Sequence, residues 1–117
     1  MKVSILVPIY NVENFISRCL ESLFSQTYSN IEYVFVNDCT PDNSMTILSD
    51  MLQKYPSRAT MVKIINNSQN HGIAIVRNTL LENATGDYIL FVDSDDWIEK
   101  DMVINLVDKA ASTDADI

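Results

Sequence analysis

Stretches that suit a buried strand alternate four times with stretches that suit an amphipathic helix, and this alternation constrains the fold more than any other feature. Continuous apolar runs indicate strands covered on both faces. Apolar residues spaced three and four apart indicate helices with one packed side. The predicted strands are residues 3–9, 31–37, 61–65 and 87–92, and the predicted helices are residues 12–24, 42–55, 73–84 and 99–111, with Asn11, Asp42 or Ser44 as candidate N-caps.

Strict alternation of strand and helix predicts an α/β fold, a Rossmann-like parallel sheet with helices on both faces and right-handed crossovers. The strand over 87–92 is predicted to be central in that sheet, because it is apolar almost throughout. A chain of 117 residues is long enough for one domain with its own core. We therefore expect residues 1–117 to form a single domain, with residues 114–117 as the start of another strand.

The net charge of −8, with 8 basic and 16 acidic residues, argues against nucleic-acid binding and offers no polybasic membrane patch. No apolar run approaches the length of a membrane span, and the N-terminus lacks the cleavage site of a secretory signal. We therefore expect a cytoplasmic protein. Its two cysteines, Cys19 and Cys39, do not have a metal-binding spacing and are expected to be free thiols.

Polar side chains follow three of the predicted strands. Ligands of parallel α/β sheets bind beyond the carboxyl ends of the strands, so these side chains are expected to share one site. Asp93, Asp95 and Asp96 would repel one another unless a cation neutralised them, and carboxylate oxygens suit Mg²⁺ or Mn²⁺. Alternatively, Asp95 or Asp96 could cap the following helix. Asp38 could bind a base or a ribose, or could stabilise a turn.

The chain contains only two glycines, Gly72 and Gly86. Neither the dinucleotide-binding fingerprint nor the Walker loop can be built from them. If a nucleotide binds, its phosphates are not held by a glycine-rich turn. A metal-bridged diphosphate held by acidic residues is the remaining common arrangement, and the three aspartates after the fourth strand match it.

Segments 3–44 and 70–97, in this order, resemble the nucleotide-sugar-binding half of the inverting glycosyltransferases of family 2, which have the GT-A fold. The resemblance implies a transferase that moves a sugar from a nucleotide sugar, usually UDP-linked, to a glycan or a lipid-linked acceptor in polysaccharide biosynthesis. It also implies a divalent cofactor, Mn²⁺ or Mg²⁺. A non-catalytic nucleotide-sugar-binding module with the same fold is the alternative.

The resemblance also implies roles for residues at the strand ends. Pro8 and Tyr10 stand where family members line the base pocket, and Asp38 matches the aspartate that contacts uracil. In the D-x-D motif, Asp93 matches the carboxylate on the ribose side. Asp95 matches the carboxylate that binds the metal.

Two basic residues have weaker counterparts in the family. His71 stands where many members have lysine near the diphosphate, so contact would weaken above neutral pH, because an unperturbed imidazole titrates near pH ~6.5. Arg77 matches an arginine beside the nucleotide pocket. The alternatives are an exposed loop histidine for His71, and for Arg77 a surface ion pair with Glu82 or Asp87.

In the family, the carboxylate that acts as general base follows the D-x-D strand by a wide margin. The resemblance therefore implies that residues 1–117 are the donor-binding part, that the general base lies beyond residue 117, and that this part alone binds donor with little transfer. Apolar surface on an isolated part of a domain could also lead to self-association.

Overall fold

The structure, a computed structural model, describes residues 1–113, so the strand expected over 114–117 lies outside the described residues. Four strands form one sheet in the order β3-β2-β1-β4 with every neighbouring pair parallel: β1 (Val3–Ile9), β2 (Ile31–Asn37), β3 (Val62–Asn66) and β4 (Tyr88–Phe91). Five helices accompany it: α1 (Ile16–Phe24), α2 (Ser44–Lys54), α3 (Pro56–Ala59), α4 (Ile73–Glu82) and α5 (Met102–Thr113).

Helices cover both faces of the sheet, as predicted for this fold class. On one face, α1, α2 and α5 pack against the larger core, which includes Ile5, Tyr33 and Phe35 from the two central strands. On the other face, α4 places Val76 and Leu80 against the smaller core. β1 and β2 alternate between these cores, which explains why nearly every residue of both strands is apolar.

The prediction of a central position for the fourth strand was wrong for the described residues. Within residues 1–113, β4 pairs only with β1 and lies at an edge of the four-stranded sheet. Three of its residues are half-buried, and Phe91 is exposed. An apolar run reports that the faces of a strand are covered, but it does not report how many neighbours the strand has.

Several helix boundaries differ from the sequence prediction. α1 begins at Ile16 because Asn11 has a left-handed backbone (φ 55) and residues 12–16 form a turn, which leaves Phe15 57% exposed. The short helix α3 was not predicted, although proline at its first position suits a helix start. α5 begins at Met102, three residues later than expected. At α2, the Asp42 carboxylate accepts a hydrogen bond from the Ser44 N–H.

Arg58, on α3, ties the connection between α1 and β2 to the rest of the fold. Its guanidinium donates hydrogen bonds to the backbone carbonyls of Phe24, Gln26, Tyr28 and Ser29. A lysine ammonium cannot reproduce this fork of donors. The side chain therefore stabilises an otherwise irregular connection.

Arg58→Lys is expected to lower the free energy of unfolding by about 1–3 kcal/mol, because hydrogen bonds from a charged donor are lost while the charge is kept. Urea unfolding measures the change. Ser57→Ala, an exposed neighbour on α3, is the control and should leave the midpoint unchanged. An unchanged midpoint for Arg58→Lys would show that the four contacts contribute nothing to stability.

Candidate functional site

The carboxyl ends of three strands bring the predicted site residues to one edge of the sheet. Pro8 lies near the end of β1, Asp38 follows β2, and Asp93 lies two residues after β4. Because the strands are parallel and adjacent, these ends meet. Residues far apart in the chain therefore line a common surface.

Asp38 is 4% exposed, and its carboxylate is held by the loop that leads into α4. Oδ1 accepts hydrogen bonds from the backbone N–H of His71 (2.9 Å) and the side-chain amide of Asn67 (3.0 Å), and Oδ2 accepts one from the N–H of Gly72 (3.0 Å). Burial opposes ionisation, but these hydrogen bonds outweigh it and lower the pKa of Asp38. The carboxylate is therefore charged at neutral pH.

A mainly apolar cavity of about 310 Å³ opens beside Asp38. Its wall includes every residue predicted for the base pocket, and it is lined by Pro8, Ile9, Tyr10, Asp38, Asn70, Gly72, Ile73 and Val76. Gly72 has φ 86, a conformation that favours glycine, and nothing lies within 4 Å of the place where a Cβ would be. A flat aromatic group with polar edges suits such a cavity.

The D-x-D turn contains the acidic cluster, which is formed by the exposed residues Asp93, Asp95 and Asp96. One carboxylate oxygen from each lies within 4.8 Å of the others. The Asp96 N–H donates to the Asp93 carbonyl (3.0 Å) and closes the turn. Neither Asp95 nor Asp96 caps a helix, because α5 begins only at Met102. The capping alternative was therefore wrong.

The donor set of the acidic cluster fits a hard divalent cation. Three carboxylates supply only oxygen ligands, which Mg²⁺ and Mn²⁺ prefer.

The nearby Cys19 thiol lies 3.7 Å from the Asp93 carbonyl. Burial first, and then the charges of the acidic cluster, raise the pKa of Cys19 to about 12. The thiol therefore remains protonated at neutral pH and packs as a buried core residue, and it is free, as predicted.

The apolar cavity beside Asp38, here called the base cavity because it is proposed for the nucleobase, is continuous with the acidic cluster. A smaller pocket of about 250 Å³ lies between them and is lined by Pro8, Tyr10, Val12, Ile73, Asp93, Ser94 and Asp95. Pro8, Tyr10 and Ile73 line this pocket and the base cavity alike. One elongated ligand could therefore contact both.

The two predicted basic residues lie on the α4 side of the site. Arg77 is exposed, with its guanidinium 5.7 Å from the centre of the Phe91 ring, and it lines a cavity of about 370 Å³ with Asp93 and Asp96. Within residues 1–113 it forms no ion pair, so the surface-pair alternative was wrong. Glu82 is five positions away on the helix and faces elsewhere. His71 is exposed, and its backbone rather than its imidazole bonds to Asp38.

Three residues at the site were not predicted from the sequence. Asn67 holds Asp38, Asn70 lines the base cavity, and Ile73 is 56% exposed at the cavity wall rather than packed in the core. Ile73 is the first residue of α4, so it lies at the open edge. Both asparagines lie in the polar segment over residues 66–72, in which three of seven residues are asparagine but no periodic pattern occurs.

Comparison with known proteins decides the family. The sequence profile described as Glycosyl transferase family 2 matches residues 4–117. The chain belongs to glycosyl transferase family 2. This family domain is 43% identical over 116 residues to the glycosyltransferase GlyA of Streptococcus pneumoniae serotype 4, covering 99% of the chain and 16% of GlyA. It is 36% identical over 119 residues to a poly(ribitol-phosphate) beta-glucosyltransferase of Bacillus spizizenii, covering 100% of the chain and 18% of that enzyme.

Solved structures of similar fold confirm the predicted GT-A architecture. S. aureus TarS in complex with UDP-GlcNAc superposes with a TM-score of 0.85 at 33% identity, over 96% of this chain and 32% of TarS. The mannosyltransferase PcManGT from Pyrobaculum calidifontis, in complex with GDP-Man and Mn²⁺, gives a TM-score of 0.84 at 26% identity. The match covers 94% of this chain and 32% of PcManGT. The family 2 domain thus spans a third or less of these proteins.

No helix among residues 1–113 is both long and apolar enough to cross a membrane.

Proposed function

We propose that this family 2 domain is the donor-binding part of an inverting glycosyltransferase that transfers a sugar from a UDP-sugar to a glycan or lipid-linked acceptor in the cytoplasm. The observation that carries the proposal is the continuity between the base cavity and the acidic cluster. Two similar structures support the donor class: TarS was solved with UDP-GlcNAc, and PcManGT with GDP-Man and Mn²⁺.

The base cavity suits the nucleoside. Pro8 and Tyr10 offer apolar and aromatic surface for a planar base. A carboxylate oxygen has two lone pairs, and Asp38 Oδ2 accepts one hydrogen bond within residues 1–113. Its remaining acceptor site can bind an N–H on the edge of a base. Uracil and guanine both carry such an N–H, and the higher identity to TarS, which was solved with UDP-GlcNAc, favours a uridine nucleotide.

The acidic cluster suits the diphosphate end of the donor. Asp95, with Asp93 or Asp96, would hold Mn²⁺ or Mg²⁺, which would offset the charge that develops on a departing diphosphate. Asp93 also borders the pocket toward the nucleoside, which suits contact with the ribose. Arg77, on the other side of Asp93, would supply positive charge near the phosphates, and His71, before α4, would contact the diphosphate.

Displacement with inversion also requires a base that takes the proton of the acceptor hydroxyl. We propose that this carboxylate lies outside the 117 residues, in the additional length of the relatives. The chain by itself is then a binding unit with little transfer activity. Its test is therefore a binding measurement.

Titration calorimetry with UDP tests the proposal. We expect binding that requires Mn²⁺, and we expect Asp95→Asn to weaken it by at least about tenfold, since a metal ligand loses its charge. Asp50→Asn, an exposed residue on α2, is the control with the same change in net charge. Equal UDP binding by wild type and Asp95→Asn, or no binding by the folded wild-type chain, would contradict the proposal.

A further inference from the structure

We infer that Asn67 is a positioning residue. Through its hydrogen bond to Asp38, it holds the loop over residues 67–72 in place as one wall of the base cavity. The inference rests on the proposed function, because it assigns this loop a role in donor binding. Asn67 lines none of the cavities at the site. It acts through the Asp38 carboxylate, because Asp38 does line the base cavity.

The contacts between this loop and the end of β2 are local and directional. The Asn67 amide donates to Asp38 Oδ1 at 3.0 Å, and the same oxygen accepts the His71 N–H at 2.9 Å. The backbone N–H of Asn67 donates to the Asn37 carbonyl at 2.9 Å. Asn67 and Gly72, at the two ends of the loop, thus each donate a hydrogen bond to the Asp38 carboxylate.

Residues between these two ends form part of the cavity wall. Asn70 and Gly72 line the cavity, and Ile73 follows them directly. Gln69 and Asn70 are exposed, so few apolar contacts hold the loop in place. The hydrogen bonds to Asp38 therefore determine the shape of this wall. When only a fraction of molecules have the competent shape, the apparent affinity falls by that fraction.

Asn67 also restricts the orientation of the Asp38 carboxylate. Both carboxylate oxygens of Asp38 accept hydrogen bonds from the loop, and the residue also lines the cavity. Without the Asn67 amide, Oδ1 would keep only the His71 N–H and Oδ2 only the Gly72 N–H. Both donors belong to the same end of the loop, so the carboxylate and that end of the loop could shift together. Asn67 thus orients Asp38 and the loop together.

The first measurement is hydrogen exchange of backbone amides in the nucleotide-free chain. In Asn67→Ala, we expect the amides of His71 and Gly72 to exchange about tenfold faster, while amides of β1 and β2 keep their rates. Gln69→Ala, in the same loop, removes an exposed side chain that forms no hydrogen bond within residues 1–113, and it is the matched control. A merely structural role would change exchange throughout the sheet.

The second measurement is UDP titration with Mn²⁺. Asn67→Ala should raise Kd by about three- to tenfold, and Gln69→Ala should leave it unchanged. Asn67→Asp keeps the shape but faces an oxygen toward Asp38 Oδ1, and it should raise Kd at least as much. Thermal unfolding confirms that each variant is folded.

The outcomes separate this inference from the proposed function. If wild type binds UDP and Asn67→Ala binds it equally well, the inference is overturned while the proposed function stands. If the wild-type chain binds no UDP, the proposed function fails and this role of Asn67 fails with it. Faster exchange at His71 and Gly72 together with weaker UDP binding would support the inference.

Discussion

Glu32→Gln is expected to lower the free energy of unfolding by about 3 kcal/mol at neutral pH, because this carboxylate is almost completely buried and carries several charge-assisted hydrogen bonds. Glu32, on β2, is 2% exposed. It accepts hydrogen bonds from the Ser4 hydroxyl (2.6 Å) and from the Thr85 N–H (2.7 Å) and hydroxyl (2.9 Å). The ammonium groups of Lys63 and Lys2 lie 3.0 and 3.5 Å away.

This network joins four parts of the chain on the α4 face of the sheet. Ser4 is on β1, Lys63 is on β3, and Thr85 lies between α4 and β4. A glutamine keeps the size of the side chain, but its amide N–H₂ faces donors instead of acceptors and it leaves two lysines without their counter-charge. The cost is therefore that of breaking a buried network, not that of losing one contact.

The pH dependence of stability should report the same carboxylate. Burial opposes its ionisation, but the hydrogen bonds of Ser4, Thr85 and Lys63 outweigh burial and lower the pKa of Glu32 from 4.5 to about 2. Because the pKa is lower in the folded state, this stabilisation is complete above about pH 4.5 and is lost as the pH falls toward 2. A shift of this size corresponds to about 3 kcal/mol.

Urea unfolding at pH 7 and at intervals down to pH 3 measures both effects. Wild type should lose stability over this range more steeply than Glu32→Gln, so the difference between them should shrink toward acid pH. Glu82→Gln, an exposed residue on α4, is the control with the same chemical change. A constant difference at every pH would show that the network does not depend on the charge.

Gly86→Ala is expected to destabilise the fold by about 2–4 kcal/mol, because a methyl group there collides with the neighbouring strand. A Cβ at Gly86 would lie 2.6 Å from Ser4 Oγ, 2.8 Å from the Ser4 backbone nitrogen and 2.9 Å from the Lys2 carbonyl oxygen. Two of these atoms are backbone, so β4 would have to move away from β1. The Gly86 N–H also donates to Ser4 Oγ, which belongs to the Glu32 network.

Gly72→Ala is the matched control. A Cβ at Gly72 has nothing within 4 Å, but the backbone has φ 86, so the substitution adds only conformational strain of about 1–2 kcal/mol. Thermal and urea unfolding of both variants measure the difference. A loss for Gly86→Ala no greater than that for Gly72→Ala would show that β4 adjusts freely at the edge of the sheet.

The candidate site was predicted from sequence as a set of residue types but not as a set of contacts. Asp38, Pro8 and Tyr10 were assigned to one pocket and lie in one cavity, because the ends of adjacent parallel strands meet. The hydrogen bond between Asn67 and Asp38 was not predicted, since it joins residues 29 apart in the chain through a loop without periodicity. Loop geometry is not encoded in hydrophobic spacing.

The fold class, the family and the shared edge of polar strand ends were all predictable from the amino-acid sequence, because periodic burial and ordered motifs are properties of the linear chain. Three features became known from the three-dimensional structure: β4 lies at an edge of the sheet formed by residues 1–113, Arg77 faces Phe91, and residues 67–72 hold Asp38 by hydrogen bonds. Apolar spacing reports whether a residue is covered. Which partner covers it depends on the path of the chain in three dimensions.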